Sequence, residues 1–256
     1  MKYLGMPAHA GQMRGCVALM LSVLCTFAAA AADSDTSTAA PLAAPLEAPI
    51  SQQSSPVPTV RKADFGRETP SAAVQDIADR VLQATDNQNL PFMVIDKVQA
   101  RVYVFRADGT LRGATNALLG LAIGDHTVPG IGQRKLSTIR PDERTTPAGR
   151  FMATLDRDIH GVDVMWIDYD SSFSLHRVVP GTPKERRAQR LASPSSSERR
   201  ISYGCVNVPP RFYDEVVGPS FKGTYGVVYV LPEVRPASEV FSFYKAQEAV
   251  RSAASQ

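Results

Sequence analysis

Residues 201–210 read Ile-Ser-Tyr-Gly-Cys-Val-Asn-Val-Pro-Pro, and this stretch decides how the rest of the chain is interpreted. It places the thiol of Cys205 directly after a glycine. Because glycine adopts backbone conformations that other residues resist, Gly204 can present the thiol in a tight turn. Proline is tolerated in the first turn of a helix, so we expect a short helix from Pro209 to Val217. The positive end of that helix dipole would favour a thiolate at Cys205.

The other two cysteines lie in a segment that the sequence marks for removal. Residues 1–32 contain a basic start, an apolar run that begins at Cys16, and small residues before Asp33. This is the pattern of a secretory signal peptide, and we predict cleavage after Ala32; the alternative is an uncleaved membrane anchor. Cleavage leaves Cys205 as the only cysteine in an oxidising compartment, where it is either buried and inert or a free reactive thiol.

Composition and charge exclude two classes of partner. The chain of 256 residues is 44% hydrophobic and 21% charged, which is typical of a soluble globular protein. The formal charge of +3 includes two basic residues of the predicted signal peptide, which leaves about +1 on the mature chain. We therefore expect no nucleic acid partner. No second apolar run approaches the roughly 20 residues that span a bilayer, so we expect no transmembrane span after cleavage.

Composition and hydrophobic periodicity divide the remaining chain into four parts. Residues 33–70 are rich in Ala, Pro, Ser and Thr and are interpreted as a linker. Residues 71–89 form a helical lead-in, because apolar side chains recur there at helical spacing. Residues 90–233 contain short β-rich runs and many turns, which predict a mainly β domain, either a sandwich or a barrel, with a few short helices. Residues 234–256 form a C-terminal helical tail.

Strands are predicted where β-branched and aromatic residues cluster between turn signals. They cover residues 92–96, 100–105, part of 111–123, a stretch that ends at 155, one or two runs in 163–176, and 226–231. The run 164–169 holds the only tryptophan, and we predict a core strand there rather than a platform for substrate.

A charged, serine-rich insertion at residues 183–200 interrupts the predicted strands. Its cations are Lys184, Arg186, Arg187, Arg190, Arg199 and Arg200. One interpretation is a lid whose cations meet carboxylates of a substrate. The alternative is a solvated, mobile loop.

A nucleophilic cysteine requires a base and donors that stabilise an oxyanion. Of the histidines in the mature chain, His176 is the candidate base because it ends a strand-like run; His126 and His160 are the alternatives. The backbone N–H groups of residues 203–205 are candidate oxyanion donors. One cysteine and three scattered histidines lack the spacing of metal ligands, so we predict no metal and no cofactor. From the residues alone, an inert cysteine and a structural histidine remain open.

Four parts of the chain resemble one enzyme family. The segment Ser202-Tyr203-Gly204-Cys205-Val206-Asn207-Val208 resembles the active-site signature of the L,D-transpeptidases (the YkuD-type fold). That signature has an upstream histidine, then Ser/Thr-His-Gly-Cys, a hydrophobic residue, and Asn or Arg. Further stretches are similar to family elements in the same order: residues 92–96 with 101–105 to the opening hairpin, residues 146–151 to the Thr-Pro-x-Gly-x-Phe turn, and residues 212–217 with 227–230 to the closing helix and strand. The likeness covers about residues 90–233.

The resemblance implies an L,D-transpeptidase-like β-sandwich or barrel and a periplasmic cysteine enzyme that acts on peptidoglycan stem peptides. Its thiol would attack the third stem residue, release the terminal D-alanine, and pass the acyl group to an amine. The amine belongs to another stem peptide, which gives a 3→3 cross-link, or to a protein such as a wall-anchored lipoprotein. Such an enzyme contributes to cell wall biogenesis and cell shape.

Two alternatives stay open beside this implied activity. With water as acceptor, the same thiol chemistry gives an L,D-carboxypeptidase or a hydrolase that releases a wall protein. The second alternative is a non-catalytic peptidoglycan-binding module in which Cys205 is inert.

The resemblance also assigns roles to individual residues. Cys205 matches the nucleophile and His176 the base; Ser202, Tyr203 and Gly204 match the oxyanion and loop positions; Asn207 and Arg177 match positions beside the bound substrate. The chain departs from the family pattern at Tyr203, where the family has histidine, and at Arg177, where a smaller residue is common. A third departure is the separation of 29 residues between His176 and Cys205, which is longer than usual.

Overall fold

The computed structural model describes residues 61–244, and strands dominate them. The strands are β1 (Phe92–Asp96), β2 (Arg101–Phe105), β3 (Leu111–Asn116), β4 (Leu119–Gly120), β5 (Gly149–Arg157), β6 (Asp163–Asp168), β7 (Phe173–Arg177), β8 (Arg200–Ser202), β9 (Val206–Val208) and β10 (Gly226–Val230). The helices are α1 (Ala72–Gln83), α2 (Arg187–Ala192), α3 (Pro210–Phe212), α4 (Gly218–Phe221) and α5 (Ala237–Val240). The prediction of a mainly β fold with a few short helices is confirmed.

Eight strands form one mixed sheet in the order β3-β2-β1-β10-β5-β6-β7-β9, and β4 pairs with β8 in a small second sheet. Neighbours in the large sheet are antiparallel except for β1 with β10 and β7 with β9. A parallel pair cannot be joined by a tight hairpin and requires a crossover of a dozen or more residues. The charged insertion at residues 183–200 is part of the crossover from β7 to β9. The topology therefore explains why this insertion interrupts the predicted strands.

Both faces of the central strands are covered, which matches their continuous apolar sequences. Alternate residues of β1 enter different cores: Met93 and Ile95 join one cluster, and Phe92 and Val94 join the other. The first cluster also takes side chains from β7 and β9, the strands that flank the candidate site. The second cluster is closed by α1 and by the aromatic residues that follow α5. The site is thus supported from below by a packed apolar layer.

Helix α1 confirms the helical pattern in the predicted lead-in. Its apolar stripe is buried as the spacing predicts: Val74, Ile77, Ala78, Val81 and Leu82. Ser71 caps the first turn, because its side chain accepts a hydrogen bond from the backbone N–H of Val74 at 3.3 Å.

The end of the predicted linker packs against the domain. Asp64 forms a β-bridge with Thr110, and Phe65 is only 7% exposed. The ring of Phe65 lies edge-on to Phe105 with 5.3 Å between centroids. The linker therefore ends before residue 70, because the side chain of Phe65 anchors this segment to the domain. The predicted signal peptide and residues 33–60 of the predicted linker lie outside the described residues.

The predicted C-terminal tail is only partly covered. Within its described part, α5 spans four residues, and Phe241 and Phe243 stack at 5.5 Å and enter the second core. Residues 245–256 lie outside the description. Among the helices in residues 61–244, none is long and apolar enough to cross a bilayer.

Candidate active site

Cys205 lies in the short turn between β8 and β9, and its thiol is free and partly exposed. The preceding Gly204 has a φ of 134°, a conformation that side chains rarely adopt. A Cβ atom at this position would lie 2.8 Å from the backbone oxygen of Thr145. Both conformation and space therefore require glycine here, as the sequence suggests.

Two hydroxyl groups hold this turn in shape. The Ser202 hydroxyl donates to the Cys205 carbonyl at 2.6 Å and accepts from the Gly204 N–H at 3.1 Å. The Thr146 hydroxyl donates to the Gly204 carbonyl at 2.8 Å and accepts from the Gly120 N–H at 2.9 Å. Ser202 thus has the geometry of a loop-shaping residue. Thr146 is a contributor that the sequence offered only as part of a turn motif.

The hydrogen bonds of the turn limit its oxyanion donors. The Gly204 N–H is already donated to Ser202, so Gly204 is not available as one of the three predicted donors. The N–H groups of Tyr203 and Cys205 have no hydrogen-bond partner within residues 61–244. The ring of Tyr203, which replaces the family histidine, lies under the Arg144 guanidinium at 3.9 Å. Tyr203 and Cys205 therefore remain as backbone donors.

The parallel pairing of β7 with β9 brings His176 to the thiol. His176 lies in register with Asn207, two residues beyond Cys205. Its Nδ1 lies 2.8 Å from the carbonyl oxygen of Arg177. Because a carbonyl only accepts, Nδ1 carries hydrogen, and Nε2 is the basic atom of the neutral ring. His126 and His160, the alternative bases, lie in connections outside β7 and β9.

The surroundings of the sulfur favour a thiolate. Burial alone would raise the pKa of the Cys205 thiol, but hydrogen bonding and charge from His176, with help from Ser174, hold that pKa below its usual value. The Ser174 hydroxyl donates to Sγ at 3.5 Å, and Sγ lies 3.5 Å from the Ser172 carbonyl. Burial would lower the pKa of His176, yet its hydrogen bond and charge interaction with Cys205 raise it. Each group therefore stabilises the charged form of the other.

Asn207 lies behind the histidine rather than beside an open cleft. Its side chain is 1% exposed, and its Nδ2 lies 3.1 Å from His176 Nε2. Its Oδ1 accepts from Arg187 Nη1 at 3.1 Å. The structure therefore assigns Asn207 contacts with protein groups, where the sequence resemblance predicts contact with substrate.

The side chain of Arg177 is not brought to the thiol. It leaves the opposite face of β7, where it pairs with Asp214 at 2.5 Å and lies 4.1 Å from the centroid of the Tyr213 ring. There it lines a separate groove of about 690 Å³. Strand alternation explains the result, because consecutive side chains point to opposite faces. Arg177 serves the site through its carbonyl oxygen, which holds His176.

Most cations of the charged insertion are held by protein groups. Arg190 donates to the carbonyls of Glu185 and Glu198 at 2.9 Å, and Arg199 donates to that of Gln99 at 2.6 Å. Arg200 pairs with Glu233. Arg187 pairs with Glu185 at 2.5 Å and reaches Asn207. Four of its six cations thus bind protein groups, which are backbone carbonyls for Arg190 and Arg199 and side chains for Arg187 and Arg200.

Trp166 occupies the predicted strand but not the core. It pairs across β6 and β7 with Ser174, so both side chains stand on the face of the sheet that carries Cys205. Its ring stacks on Tyr169 at 4.9 Å, and Tyr169 is 55% exposed. Strict alternation along β6 could have revealed this, since Met165 and Ile167 are the residues that enter the core.

No cluster of three potential metal-binding side chains occurs within residues 61–244.

Comparison with known proteins finds likeness only among solved structures, since no family model and no curated protein matches the chain. The chain is similar to an L,D-transpeptidase of Enterococcus faecium, at 18% identity over 55% of this chain and 49% of that one, with a TM-score of 0.31. It is similar to the helical cell shape determining protein Pgp2 of Campylobacter jejuni, at 13% identity over 57% and 48%, with a TM-score of 0.37. It is also similar to an L,D-transpeptidase of Xylanimonas cellulosilytica, at 17% identity over 56% of this chain and 60% of that one, with a TM-score of 0.34.

The chain spans about half the length of the Enterococcus and Campylobacter proteins. At these low identities and TM-scores, the chemistry of the site has to be argued from its own geometry.

Proposed function

We propose that this protein is a periplasmic L,D-transpeptidase, a cysteine acyltransferase that acts on peptidoglycan stem peptides. The observation that carries the proposal is the parallel pairing of β7 with β9, which sets His176 beside the turn of Cys205, where the ring lowers the pKa of the thiol and the thiol raises that of the ring. Such a pair supplies a nucleophile and an acid in one place. The substrate class comes from the resemblance of residues 202–208 to the family signature.

Acylation follows from the positions of the two side chains. The Cys205 thiolate attacks the carbonyl carbon of the third stem residue and forms a carbon–sulfur bond. The oxygen becomes an oxyanion, which the N–H groups of Tyr203 and Cys205 are free to stabilise. The carbon–nitrogen bond to D-alanine then breaks, and the imidazolium of His176 gives its proton to the leaving amine. A thioester and a neutral imidazole remain.

Deacylation reverses the proton transfer. The neutral imidazole of His176 accepts a proton from the incoming amine while the amine nitrogen attacks the thioester carbonyl carbon. The carbon–sulfur bond then breaks, and Cys205 leaves as a thiolate. An amine on a second stem peptide gives a 3→3 cross-link, and an amine on a wall-anchored lipoprotein gives protein attachment. With water the product is a free acid, as in a carboxypeptidase or a wall-protein hydrolase.

The test is mass spectrometry of the purified protein incubated with a disaccharide-tetrapeptide, with Cys205→Ala as the control. We expect a cross-linked dimer, release of D-alanine, and an adduct on the intact protein that disappears in the variant. Formation of the tripeptide product without a cross-linked dimer would indicate that the protein is a carboxypeptidase and not a transferase. The absence of any change that depends on Cys205 would contradict chemistry on this substrate and favour a peptidoglycan-binding module.

A further inference from the structure

We propose that Arg187, a residue of the crossover insertion, is a positioning residue that acts through Asn207 to oppose protonation of His176. The inference rests on the proposed function only for its effect on turnover. Its effect on His176 concerns the free protein and is testable without substrate.

The proposal starts from a continuous chain of polar contacts. Glu185 holds the Arg187 guanidinium through Nε at 2.5 Å. Arg187 Nη1 donates to Asn207 Oδ1 at 3.1 Å, and Asn207 Nδ2 lies 3.1 Å from His176 Nε2. The insertion is thereby connected to the candidate base.

Arginine fixes which way the Asn207 amide points. Because a guanidinium only donates hydrogen bonds, the oxygen of the amide has to face Arg187. The amide nitrogen is then left to face His176. Asn207 is buried, and both of its backbone groups bond to Leu118 at 2.9 and 2.8 Å. Burial and these two backbone bonds hold Asn207 in this orientation.

The fixed amide discriminates between the two protonation states of His176. In the neutral ring, Nδ1–H donates to the Arg177 carbonyl and Nε2 accepts from Asn207. In the imidazolium, both ring nitrogens carry hydrogen, so a donor on Asn207 faces a donor on Nε2. This arrangement favours the neutral ring.

The charge of Arg187 acts in the same direction. It lowers the pKa of His176, whereas the stronger hydrogen bond and charge interaction with Cys205 raise it. The charged or titratable side chains that act on the ring are Cys205 from its turn and Arg187 from α2. From β9 the ring meets the uncharged Asn207.

This balance matters after the thioester has formed. Acylation uses the imidazolium as an acid, but deacylation requires the neutral ring as a base. Arg187 and Asn207 therefore favour the second half of the reaction, when the thiolate that stabilised the imidazolium has been consumed.

The test is an NMR titration of the His176 ring C2–H in the purified protein, assigned by its loss in His176→Gln. Arg187→Met removes the donor and the charge but retains an apolar stem, and we expect a higher pKa for His176. Asn207→Ala leaves every charge in place, and we expect a change in the same direction. Arg190→Met is the matched control, because Arg190 contacts carbonyl groups of the insertion and not Asn207.

Turnover supplies an independent readout. In Arg187→Met we expect thioester breakdown at pH 7 to slow on the order of tenfold, a fraction of the 10²–10⁴-fold that acid–base catalysis contributes. The acyl-enzyme should accumulate in intact mass spectra and clear faster at higher pH. Arg187→Lys, which keeps a charge and a donor, should recover most of the rate.

Several results would overturn the proposal. One is a His176 pKa that moves no more in Arg187→Met than in Arg190→Met. Another is an unchanged pKa in Asn207→Ala, which would reduce Arg187 to a distant charge. If Arg187→Met fails to fold, the same titration of Arg187→Lys and Asn207→Ala decides. If titration changes but no acyl-enzyme forms with any variant, the substrate assignment fails and the positioning role stands.

Discussion

Two clusters of ionisable groups lie close together in this molecule and differ in how completely they are satisfied. At the candidate site, the Cys205 sulfur has contacts of 3.5 Å to Ser174 and Ser172, and the residue as a whole is only partly buried. The other cluster is centred on Lys97, which is 0% exposed. Lys97 Nζ donates to Asp125, to the Gly124 carbonyl and to the Thr146 carbonyl at 2.6 to 2.9 Å.

The partners of Lys97 are themselves saturated. Asp125 also accepts three backbone N–H groups, those of Glu233, Val234 and Arg235. Burial would raise the pKa of Asp125, but these hydrogen bonds and Lys97 hold it far below its usual value. Every charge in this cluster therefore has short, well-directed partners, and none is presented to solvent.

The comparison teaches that a perturbed pKa alone does not identify an active site. Both clusters contain groups with shifted pKa values, and structural ion pairs produce such shifts as well as catalytic ones. The two clusters differ in whether they contain an accessible atom with a lone pair that is free to form a bond. The sulfur retains room for a bond to carbon, whereas Lys97 and Asp125 have none.

The largest expected effect comes from removing the base at the reactive cluster. His176→Gln should lower the rate of acylation by roughly 10²–10⁴-fold, because the leaving amine loses its proton donor. The melting temperature should stay near that of the wild type. Since the pKa of Cys205 is lowered mainly by His176, labelling with iodoacetamide should reach half its maximum at a lower pH in the wild type than in the variant. An unchanged rate of acylation in His176→Gln would mean that another histidine is the base.

The next effect tests the satisfied cluster. Lys97→Met should lower the free energy of unfolding by about 3–5 kcal/mol, because Asp125 is left as a buried charge without its cation. Urea unfolding at pH 7 measures the change. Arg211→Gln is the control, since the Arg211–Glu215 pair is exposed and should contribute nothing measurable.

The stabilisation by the Lys97–Asp125 pair should depend on pH, and the direction of that dependence is measurable. The folded pKa of Asp125 is lowered from 3.8, so its stabilisation is complete above that value and is lost as pH falls below it. The difference in the free energy of unfolding between wild type and Lys97→Met should therefore become smaller as the pH is lowered below 3.8. A difference that does not depend on pH would mean that lost packing, not the ion pair, destabilises the variant.

The contrast between the clusters also shows what the sequence could predict. Strands β1 and β10 and helix α1 were predictable because their apolar periodicity is local. Cys205 and His176 were identified by motif and strand ending, and Gly204 by its special backbone requirement. These signals all lie within a few residues of the feature they predict.

The contacts that complete the site depend on pairing between distant parts of the chain. Arg187 reaches Asn207 only because β7 and β9 are parallel, which sends the crossover over this edge. The Lys97 cluster joins groups 28 and 49 residues apart in sequence. Neither arrangement leaves a periodic pattern in the sequence. From composition alone, the insertion was therefore predicted to be a lid or a loop, and no role was predicted for Lys97.

Thr146 connects the two clusters, and changing it produces the smallest effect we predict. Its carbonyl accepts from Lys97, while its hydroxyl donates to the Gly204 carbonyl and accepts from the Gly120 N–H. Thr146→Val retains the shape of the side chain and leaves two buried backbone groups without partners. Unfolding should become easier by about 1–3 kcal/mol.

The same substitution separates support from chemistry. Because the Gly204–Cys205 peptide loses the hydroxyl that orients it, the Cys205 N–H should stabilise the oxyanion less well, and acylation should slow several-fold, less than the 10²–10³-fold loss of an entire oxyanion donor. The labelling profile of Cys205 should not move, since Thr146 has no contact with the sulfur or with His176. A slower acylation with an unchanged thiol profile would show that the saturated cluster serves the reactive one through the backbone alone. A shifted profile would mean instead that the two clusters are electrostatically coupled, and the distinction between them would have to be abandoned.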